Sequence, residues 1–520
     1  MKRIKIWTGP LAVLMVFLLG LGLRLLDLDD APLDFHPTRQ LHAALIARGM
    51  FYEDRTGLPA WKQALAVRQW HAEGQIEPPV METLAMWGYR LAGGAYLWIP
   101  RLLAIAFWMV GAILLYRLMR RMTGRMGALA AAGFFLFLPY GVIASRSFQP
   151  EALQTAAIIA TLWAAFRWQD LRAEPSASER SASPALRWAI LTGVLAGLAI
   201  YVKLTSIFLL GPVLVVLALQ AGRDGVPLRR LPGRLLRDRQ LWLLAILALL
   251  PALLYHLDGF FISGFLQGQT AGRFYPHMWL DPAFYLRWVR VLERLMPFSL
   301  VMTGLAGNLL AGERRRPALL AFWAGYGLYG LVLPFHISTH DYYHLVLLIP
   351  VSMGLGSIAG LIYSHLPNGK SLARGLALAA LCAGLVITVY NVRTVLKRQE
   401  FRAEAALWRD VGIWLGPQSE TVALVDDYGG RLKYWGWVMP LIWPTADDQN
   451  FMIENGNTFD FASRFEDAVA DRDYFLISPI SELESQPELA QALSQYLVIY
   501  QASDPNNGRT IRIYRLRSSP

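Results

Sequence analysis

Apolar stretches long enough to cross a lipid bilayer recur along this chain and limit the folds open to it. About 20 mostly apolar residues span the hydrocarbon core as a helix. The first stretch runs from Ile6 to Leu26, and others lie near 96–116, 127–145, 152–169, 187–202, 204–221, 240–257, 296–312, 317–336, 343–363 and 374–392. They predict a polytopic α-helical membrane protein with about eleven transmembrane helices. The pair around Lys203 is also compatible with one long tilted helix and a re-entrant segment.

Composition agrees with this fold class. Of the 520 residues, 55% are hydrophobic and 17% are charged, and the mean hydropathy is +0.35. These values exclude a disordered chain and an ordinary soluble enzyme. The single cysteine, Cys382, excludes an intrachain disulfide.

The basic residues indicate an orientation in the membrane. Arginines cluster in three predicted loops, near 117–125, 223–239 and 314–316, which fall on one side if eleven helices cross. By the positive-inside rule that side is cytoplasmic, together with the N-terminus. The net charge of +11 is therefore a topology signal, and we expect no nucleic-acid partner. We expect a multi-pass protein of the bacterial inner membrane, whose outer loops are 27–95, 146–151, 258–295 and 337–342.

The chain divides into two predicted parts. Residues 1–395 form the membrane part, and 396–520 have the composition of a small extracytoplasmic α/β domain. Helices are predicted at 403–415, 461–470 and 489–496, and strands at 421–425, 474–477, 497–500 and 510–514. Gly429-Gly430 lacks the spacing of a nucleotide-binding loop, so a structural cap or docking surface is the plainer interpretation.

The first outer loop carries the densest group of polar residues. Asp34, His36, Arg39 and Gln40 precede two predicted amphipathic helices, from Leu41 to Tyr52 and after Pro59. A Glu77-Pro78-Pro79 segment then opens an apolar helix that ends near Gly93-Gly94.

Three further outer segments contribute charge. Arg146 and Glu151 lie in a very short loop, where Pro150-Glu151 is also an ordinary helix start. Lys203 interrupts an apolar run, either as a phosphate ligand or as a snorkelling interfacial lysine. Arg273 belongs to a long loop that could simply be wet and interfacial.

The last outer loop is rich in histidine and tyrosine. It contains His340, Asp341, Tyr342, Tyr343 and His344. The spacing does not match a helical pair of metal ligands, so hydrogen bonding to a polar substrate is favoured over metal binding.

Four features, taken in order, resemble a known family. They are Arg24-Leu-Leu at the end of the first span followed by Ala44-Leu-Ile-Ala47-Arg48-Gly-Met50, Glu77-Pro78-Pro79, Ser145-Arg146 with Pro150-Glu151, and His340-Asp341-Tyr342-Tyr343-His344. This order resembles membrane glycosyltransferases of the GT-C superfamily, in particular glycosyltransferase family 39, which includes protein O-mannosyltransferases and aminoarabinose transferases. The similarity extends to about residue 365.

The resemblance implies a polyprenyl-phosphate-sugar donor and transfer to a lipid, glycan or protein acceptor on the non-cytoplasmic face. It implies no required cofactor, with a divalent metal as the open alternative. Where the family usually carries an acidic pair, this chain has Arg39-Gln40. The predicted base is therefore Asp34 first, Glu77 second and Glu151 third.

The remaining roles follow from the same resemblance. Phosphate binding is expected of Arg39, Arg146, Lys203 and Arg273. Sugar or acceptor contacts are expected of His36, Gln40, His340, Asp341, Tyr342, Tyr343 and His344. The alternatives are a transporter or flippase of lipid-linked or polar solutes, and an inactive scaffold with this fold.

Overall fold

The computed structural model describes residues 2–75, 77–173, 179–223, 228–267, 274–365, 371–398, 400–454 and 456–517. The described residues up to 398 are mainly helical. The helices are α1 Lys2–Leu25, α2 Pro37–Glu53, α3 Ala60–Ala72, α4 Val80–Ala92, α5 Trp98–Phe137, α6 Pro139–Ala144, α7 Glu151–Arg172, α8 Glu179–Val202, α9 Ser206–Arg223, α10 Leu231–Leu236, α11 Arg239–Leu257, α12 Pro282–Leu295, α13 Phe298–Leu309, α14 Arg316–Val332, α15 Pro334–Thr339, α16 Leu348–His365 and α17 Ser371–Arg398.

Four segments in the described ranges are helical, long and apolar enough to cross a membrane. They are Trp98–Phe137, Pro184–Val202, Arg239–Ile262 and Asp341–His365. Pro10–Leu25, Ser206–Gly222 and Phe298–Leu309 are apolar but shorter. The prediction of a polytopic helical protein is thus confirmed, whereas the count of eleven spans stays a prediction.

The structure shows how two pairs of predicted spans are connected. The predicted span 96–116 and the first part of 127–145 form two helical segments of α5 that meet at a kink at Gly124, where φ is +74°, so most of the loop expected at 117–125 is helical. Glycine adopts this left-handed conformation without a Cβ clash. Between α8 and α9 the chain forms two helices and not one, because the helix stops at Val202 and restarts at Ser206. Lys203 therefore lies in the break.

The helix bundle is organised around α16, which packs against α5 and α13. At the α13 contact, a Cβ on Gly354 would lie 1.8 Å from the carbonyl oxygen of Gly304. Only glycine permits this separation, and small residues are the usual means of close packing between membrane helices. α7 in turn packs against α5 and α8.

The first outer loop folds as three helices, as predicted, but α2 is not an interfacial amphipathic helix. Its buried residues include Gln40, Leu41, Ile46, Arg48 and Phe51, which lie on several sides of the helix. α2 packs against α3, α4 and the C-terminal region. The amphipathic interpretation of α2 is corrected because this helix is enclosed by protein.

The C-terminal region contains a five-stranded sheet. Its elements are α18 Arg402–Leu415, β1 Thr421–Val425, α19 Gly430–Trp435, β2 Leu441–Ile442, α20 Ala446–Glu454, α21 Phe461–Val469, β3 Tyr474–Ser478, α22 Ile480–Glu484, α23 Pro487–Leu493, β4 Leu497–Ser503 and β5 Thr510–Arg515. The strand order is β2-β1-β3-β5-β4. β1 is parallel to β2 and β3, whereas β5 is antiparallel to β3 and β4.

The predicted strands and helices of this region are confirmed within a few residues. β1 is buried along its whole length, as expected for a continuous apolar run in the parallel part of a sheet. β2 was not predicted, because two residues are too few to show a periodic pattern.

Candidate active site

Four charged side chains from distant parts of the chain meet in one group, which we call the charged cluster. It consists of Arg39, Glu77, Glu151 and Lys203. The Arg39 guanidinium lies 2.8 Å from the Glu151 carboxylate and 3.1 Å from that of Glu77. The Lys203 ammonium lies 2.5 Å from Glu151 and 3.8 Å from Glu77. Two cations are thus balanced by two carboxylates.

Each residue of the charged cluster lies at the end of a helix or directly next to one. Arg39 is in the first turn of α2, which begins at Pro37 with its φ already suited to a helix. Glu77 precedes Pro78-Pro79 and the start of α4. Glu151 is the first residue of α7, where the helix dipole favours a negative charge. Lys203 fills the gap between α8 and α9.

Two tyrosines lie against the cations. The ring centroid of Tyr342 is 4.5 Å from the Arg39 guanidinium carbon and 5.1 Å from the Lys203 nitrogen. Tyr343 lies 5.2 Å from the same nitrogen. Cation–π contacts of this kind hold the charged groups in place while leaving their hydrogen-bonding capacity free. The tyrosines predicted from the last outer loop therefore join the charged cluster.

His36 and Asp341 connect the first and last outer loops. The His36 Nε2 atom lies 2.7 Å from an Asp341 carboxylate oxygen. His36 has a left-handed backbone, with φ +46°, which costs roughly 1–3 kcal/mol for a residue other than glycine. The strained residue directly precedes α2, so the pair with Asp341 helps to fix where that helix starts.

Asp34 has a different environment from the two glutamates. Its carboxylate lies 3.2 Å from the Arg101 guanidinium and accepts a 3.3 Å hydrogen bond from Gln40. Its side chain is 8% exposed, compared with 29% for Glu77 and 2% for Glu151. Glu77 is therefore the most accessible of the three predicted bases.

Both polar atoms of the Gln40 side-chain amide form hydrogen bonds with backbone groups. Its amide nitrogen donates to the Phe35 carbonyl at 2.7 Å, and its amide oxygen accepts from the Phe148 amide at 2.9 Å. These bonds tie α2 to the short second outer loop. The predicted sugar contact of Gln40 stays a prediction, and its observed contacts are structural.

Of the other predicted phosphate ligands, Arg146 is buried, and its guanidinium donates to the Asp27 carbonyl at 3.0 Å. Arg273 lies outside the described residues.

The late histidines separate into two environments. His344 is fully buried and donates from Nε2 to the Ile337 carbonyl at 2.8 Å, while the Tyr326 hydroxyl donates to its Nδ1 atom. His340 is part-buried, with its ring 5.6 Å from that of Tyr342. His344 thus holds the bundle together, and His340 lies on the side of the charged cluster. No group of three or more potential metal ligands occurs in the described ranges.

Sequence reasoning missed several charged partners. Arg101 was assigned to an apolar span, although a charge within such a run signals a buried partner. Glu82, on α4 close after Glu77, was also passed over, and burial raises its pKa to about 7. The contact of Thr38 with Asp427, at 2.5 Å, had no sequence signal, because those residues belong to different parts of the chain.

The charged cluster is chemically suited to an anionic ligand. Arg39 is partly exposed and shared between two carboxylates, so an entering phosphate could take up part of its hydrogen-bonding capacity. Guanidinium and ammonium groups are the usual phosphate ligands of proteins. The adjacent Glu77 is accessible enough to accept a proton from a second ligand.

Comparison with known proteins gives independent support for the fold. Residues 76–257 match the family model described as dolichyl-phosphate-mannose-protein mannosyltransferase. No curated protein sequence matches the chain significantly.

Two solved structures are similar over nearly the whole chain. ArnT from Cupriavidus metallidurans, bound to undecaprenyl phosphate, has a TM-score of 0.56 and 17% identity, with 98% of each chain covered. The archaeal oligosaccharyltransferase AglB from Archaeoglobus fulgidus, in complex with an inhibitory peptide and a dolichol-phosphate, has a TM-score of 0.55 and 13% identity. That match covers 97% of this chain and 74% of AglB.

These similarities confirm the resemblance inferred from the motifs. The chain is an integral multi-pass membrane protein with a fold like that of ArnT and AglB, and residues 76–257 resemble the mannosyltransferase family model.

Proposed function

We propose that this protein is a membrane glycosyltransferase that moves a sugar from a polyprenyl-phosphate donor to a lipid, glycan or protein acceptor. The observation that carries the proposal is the charged cluster beneath Tyr342 and Tyr343, where two cations and an accessible carboxylate meet. The undecaprenyl phosphate and dolichol-phosphate bound to the similar structures support this donor class.

The proposed reaction assigns one task to each charged group. The acceptor oxygen attacks the anomeric carbon, and the bond between that carbon and the phosphate oxygen breaks. Glu77 takes the proton of the acceptor. Arg39 and Lys203 stabilise the negative charge that develops on the departing polyprenyl phosphate. Glu151 holds both cations in position by its contacts of 2.8 and 2.5 Å.

Glu77 replaces Asp34 as the favoured base. A base must reach the acceptor oxygen, and Asp34 is buried against Arg101. We assign Asp34 a positioning role, since Gln40 and Arg101 converge on it. His36, Asp341 and His340 are proposed to contact sugar or acceptor, because they surround Tyr342.

The site is proposed to face the non-cytoplasmic side of a bacterial inner membrane, with about eleven crossings and a cytoplasmic N-terminus. The division into a membrane part, 1–395, and an extracytoplasmic α/β domain, 396–520, is retained. α17 ends at Arg398, close to that boundary.

The test is transfer by the purified protein in lipid. Radiolabelled polyprenyl-phosphate sugars would be offered with membrane extract as acceptor. We expect Glu77→Gln to lower the rate by roughly 10²–10⁴-fold, as for loss of a general base. Asp34→Asn should lower the transfer rate less than Glu77→Gln does. Glu53→Gln, which removes an exposed carboxylate of α2, is the matched control and should transfer at the wild-type rate.

Other outcomes separate the alternatives. Full activity of Glu77→Gln would contradict the base assignment while keeping the enzyme class. Binding of polyprenyl-phosphate sugar without transfer to any acceptor would favour the inactive scaffold, and movement of intact donor across the vesicle membrane would favour the flippase. Addition of EDTA should leave the rate unchanged; a loss restored by Mg²⁺ or Mn²⁺ would establish a metal requirement.

A further inference from the structure

Two adjoining cavities lie at the far end of the helix bundle from the charged cluster. On α5, Arg101 pairs with Asp34 near the charged cluster, and Arg121 follows about 30 Å further along the helix. On α7, Glu151 belongs to the charged cluster, and Arg167 lies about 24 Å away along the axis. The arginines near these far helix ends therefore belong to a separate region.

The first cavity is basic. It has a volume of about 540 Å³ and is lined by Arg121, Arg167 and Arg315, with hydroxyl groups from Thr123, Ser357 and Ser364. Arg315 is paired with Asp170, the carboxylate of this lining. Arg121 and Arg167 form no salt bridge within the described ranges, which leaves the cavity with an excess of positive charge.

The second cavity is an apolar groove between α1 and α5. It has a volume of about 1,030 Å³, and its walls include Leu14, Leu18 and Ile113. These side chains are roughly half exposed. Arg117, Arg120 and Arg121 also line the groove. Because Arg121 and Trp163 line both cavities, the apolar groove adjoins the basic one.

We propose that these cavities form a binding site for an anionic glycerophospholipid. The phosphodiester headgroup occupies the basic cavity beside Arg121 and Arg167, and an acyl chain lies in the groove along Leu14, Leu18 and Ile113. Basic pockets between membrane helices recognise anionic headgroups in this way. The site differs from the proposed donor site in its residues and in its position along the helices.

The charge distribution argues for an anionic lipid over a zwitterionic one. A choline headgroup would bring its own cation next to Arg117, Arg120 and Arg121, whereas phosphatidylglycerol brings only the negative phosphate. The apolar groove argues against a free anion, since a soluble phosphate would leave that surface unused. Both parts of the cavity pair are therefore needed for the full affinity.

The experiment is native mass spectrometry of the intact protein in detergent, titrated with dioleoylphosphatidylglycerol or dioleoylphosphatidylcholine. The double variant Arg121→Gln/Arg167→Gln should bind phosphatidylglycerol roughly 30-fold more weakly than wild type. Its binding of phosphatidylcholine should be unchanged. Arg125→Gln is the matched control, because Arg125 follows directly after the kink in α5 and lines neither cavity. It should bind both lipids like wild type.

A second variant tests the groove. Ile113→Trp fills part of it while leaving the arginines in place, so lipid binding should fall although the charge is unchanged. Equal phosphatidylglycerol affinity in wild type and the double variant would overturn the site. Competition by millimolar glycerol 3-phosphate as strong as by the lipid would also overturn it, because the groove would then contribute nothing. Thermal unfolding of each variant in detergent verifies that a loss of binding is not a loss of fold.

Discussion

Lys203 and Glu151 show how the charged cluster is held at the level of single residues. Their side chains are 5% and 2% exposed, and the ammonium and carboxylate are 2.5 Å apart. Taking both charges out of water is costly, and the pair repays this cost only while both partners remain. Arg39 adds a second cation to Glu151, and the rings of Tyr342 and Tyr343 cover Lys203.

Removing Lys203 alone should therefore destabilise the protein. We expect Lys203→Met to lower the free energy of unfolding by about 3 kcal/mol, because Glu151 is left with an incomplete set of partners. The double variant Lys203→Met/Glu151→Gln should recover much of this loss, since no buried charge is then unpaired. Thermal unfolding in detergent measures both effects. A double variant no more stable than the single one would contradict the coupling of the two residues.

At the level of elements, α2 is clamped between the other outer-loop helices and the C-terminal region. The Arg48 guanidinium donates to the carbonyls of Tyr434 and Lys433 at 2.5 and 3.0 Å, and it lies 3.9 Å from the Trp437 ring centroid. Gln69 of α3 donates to the Lys433 carbonyl as well. Because Arg39 is on the same helix, these contacts bear on the geometry of the charged cluster.

Arg48 is the residue of α2 whose loss should loosen the C-terminal region most directly. We expect Arg48→Ala to lower the free energy of unfolding by about 3 kcal/mol, since the Tyr434 carbonyl and the buried Gln69 amide oxygen lose the hydrogen bonds from Arg48. Arg48→Lys should lose less stability than Arg48→Ala but remain less stable than wild type, because an ammonium cannot reproduce the planar, forked contacts of the guanidinium. Limited proteolysis should release a fragment beginning near residue 400 faster in Arg48→Ala. Cleavage of Arg48→Ala at the wild-type rate would show that Arg48 does not hold the C-terminal region to α2.

Glu73 gives the same interface a dependence on pH. Burial opposes ionisation, but the hydrogen bond from His42 and the charge of Lys433 outweigh it and lower the pKa of Glu73 below its ordinary value of 4.5. The folded protein then binds this proton less tightly than the unfolded chain does. The stabilisation is thus complete above pH 4.5 and is lost as the pH falls through the lowered pKa.

The expected result is a steeper loss of stability below pH 4.5 in wild type than in Glu73→Gln. At neutral pH the variant should be less stable by about 1–2 kcal/mol, because hydrogen bonds to a charged group are lost. Unfolding temperatures recorded by tryptophan fluorescence between pH 3 and 7 provide the comparison, with Glu53→Gln as the control. If the unfolding temperatures of wild type and Glu73→Gln changed with pH in parallel, Glu73 would not be the cause of the pH dependence of stability.

Across the whole molecule, contacts between the first outer loop and the C-terminal region constrain the topology. Arg402 pairs with Asp27 and Asp29, and the Phe401 amide donates to Asp30 at 3.0 Å. Thr38 and Asp427 form a further contact. We therefore expect these segments to lie on one side of the membrane and the helices between them to cross it an even number of times.

Cysteine accessibility tests this arrangement. In a Cys382→Ser background, Glu53→Cys and Asp471→Cys should react with a membrane-impermeant maleimide applied from outside the cell membrane. Arg229→Cys, in the arginine-rich loop before α11, should react only after permeabilisation. These three positions are exposed. Reaction of Glu53→Cys and Asp471→Cys from opposite sides would contradict the packing of α2 on the C-terminal region.

Much of this protein follows from sequence alone, for a definite physical reason. Long apolar stretches form helices in a bilayer, and short apolar or β-branched runs between turns favour strands, so the helical part and the strands β1, β3, β4 and β5 were predictable. Charges among apolar residues are costly unless paired. Arg39, Glu77, Glu151 and Lys203 could therefore be chosen as site candidates before their distances were known.

Only the tertiary structure decided how those residues pair. Asp34 was preferred as base on its position in the chain, yet its contacts with Arg101 and Gln40 depend on how α5 and α2 lie together. The burial of α2 and the inward position of His344 likewise depend on the C-terminal region and on Tyr326. A local pattern records which residues need partners. The choice of partner is made by packing between segments that are far apart in sequence, and no local pattern contains it.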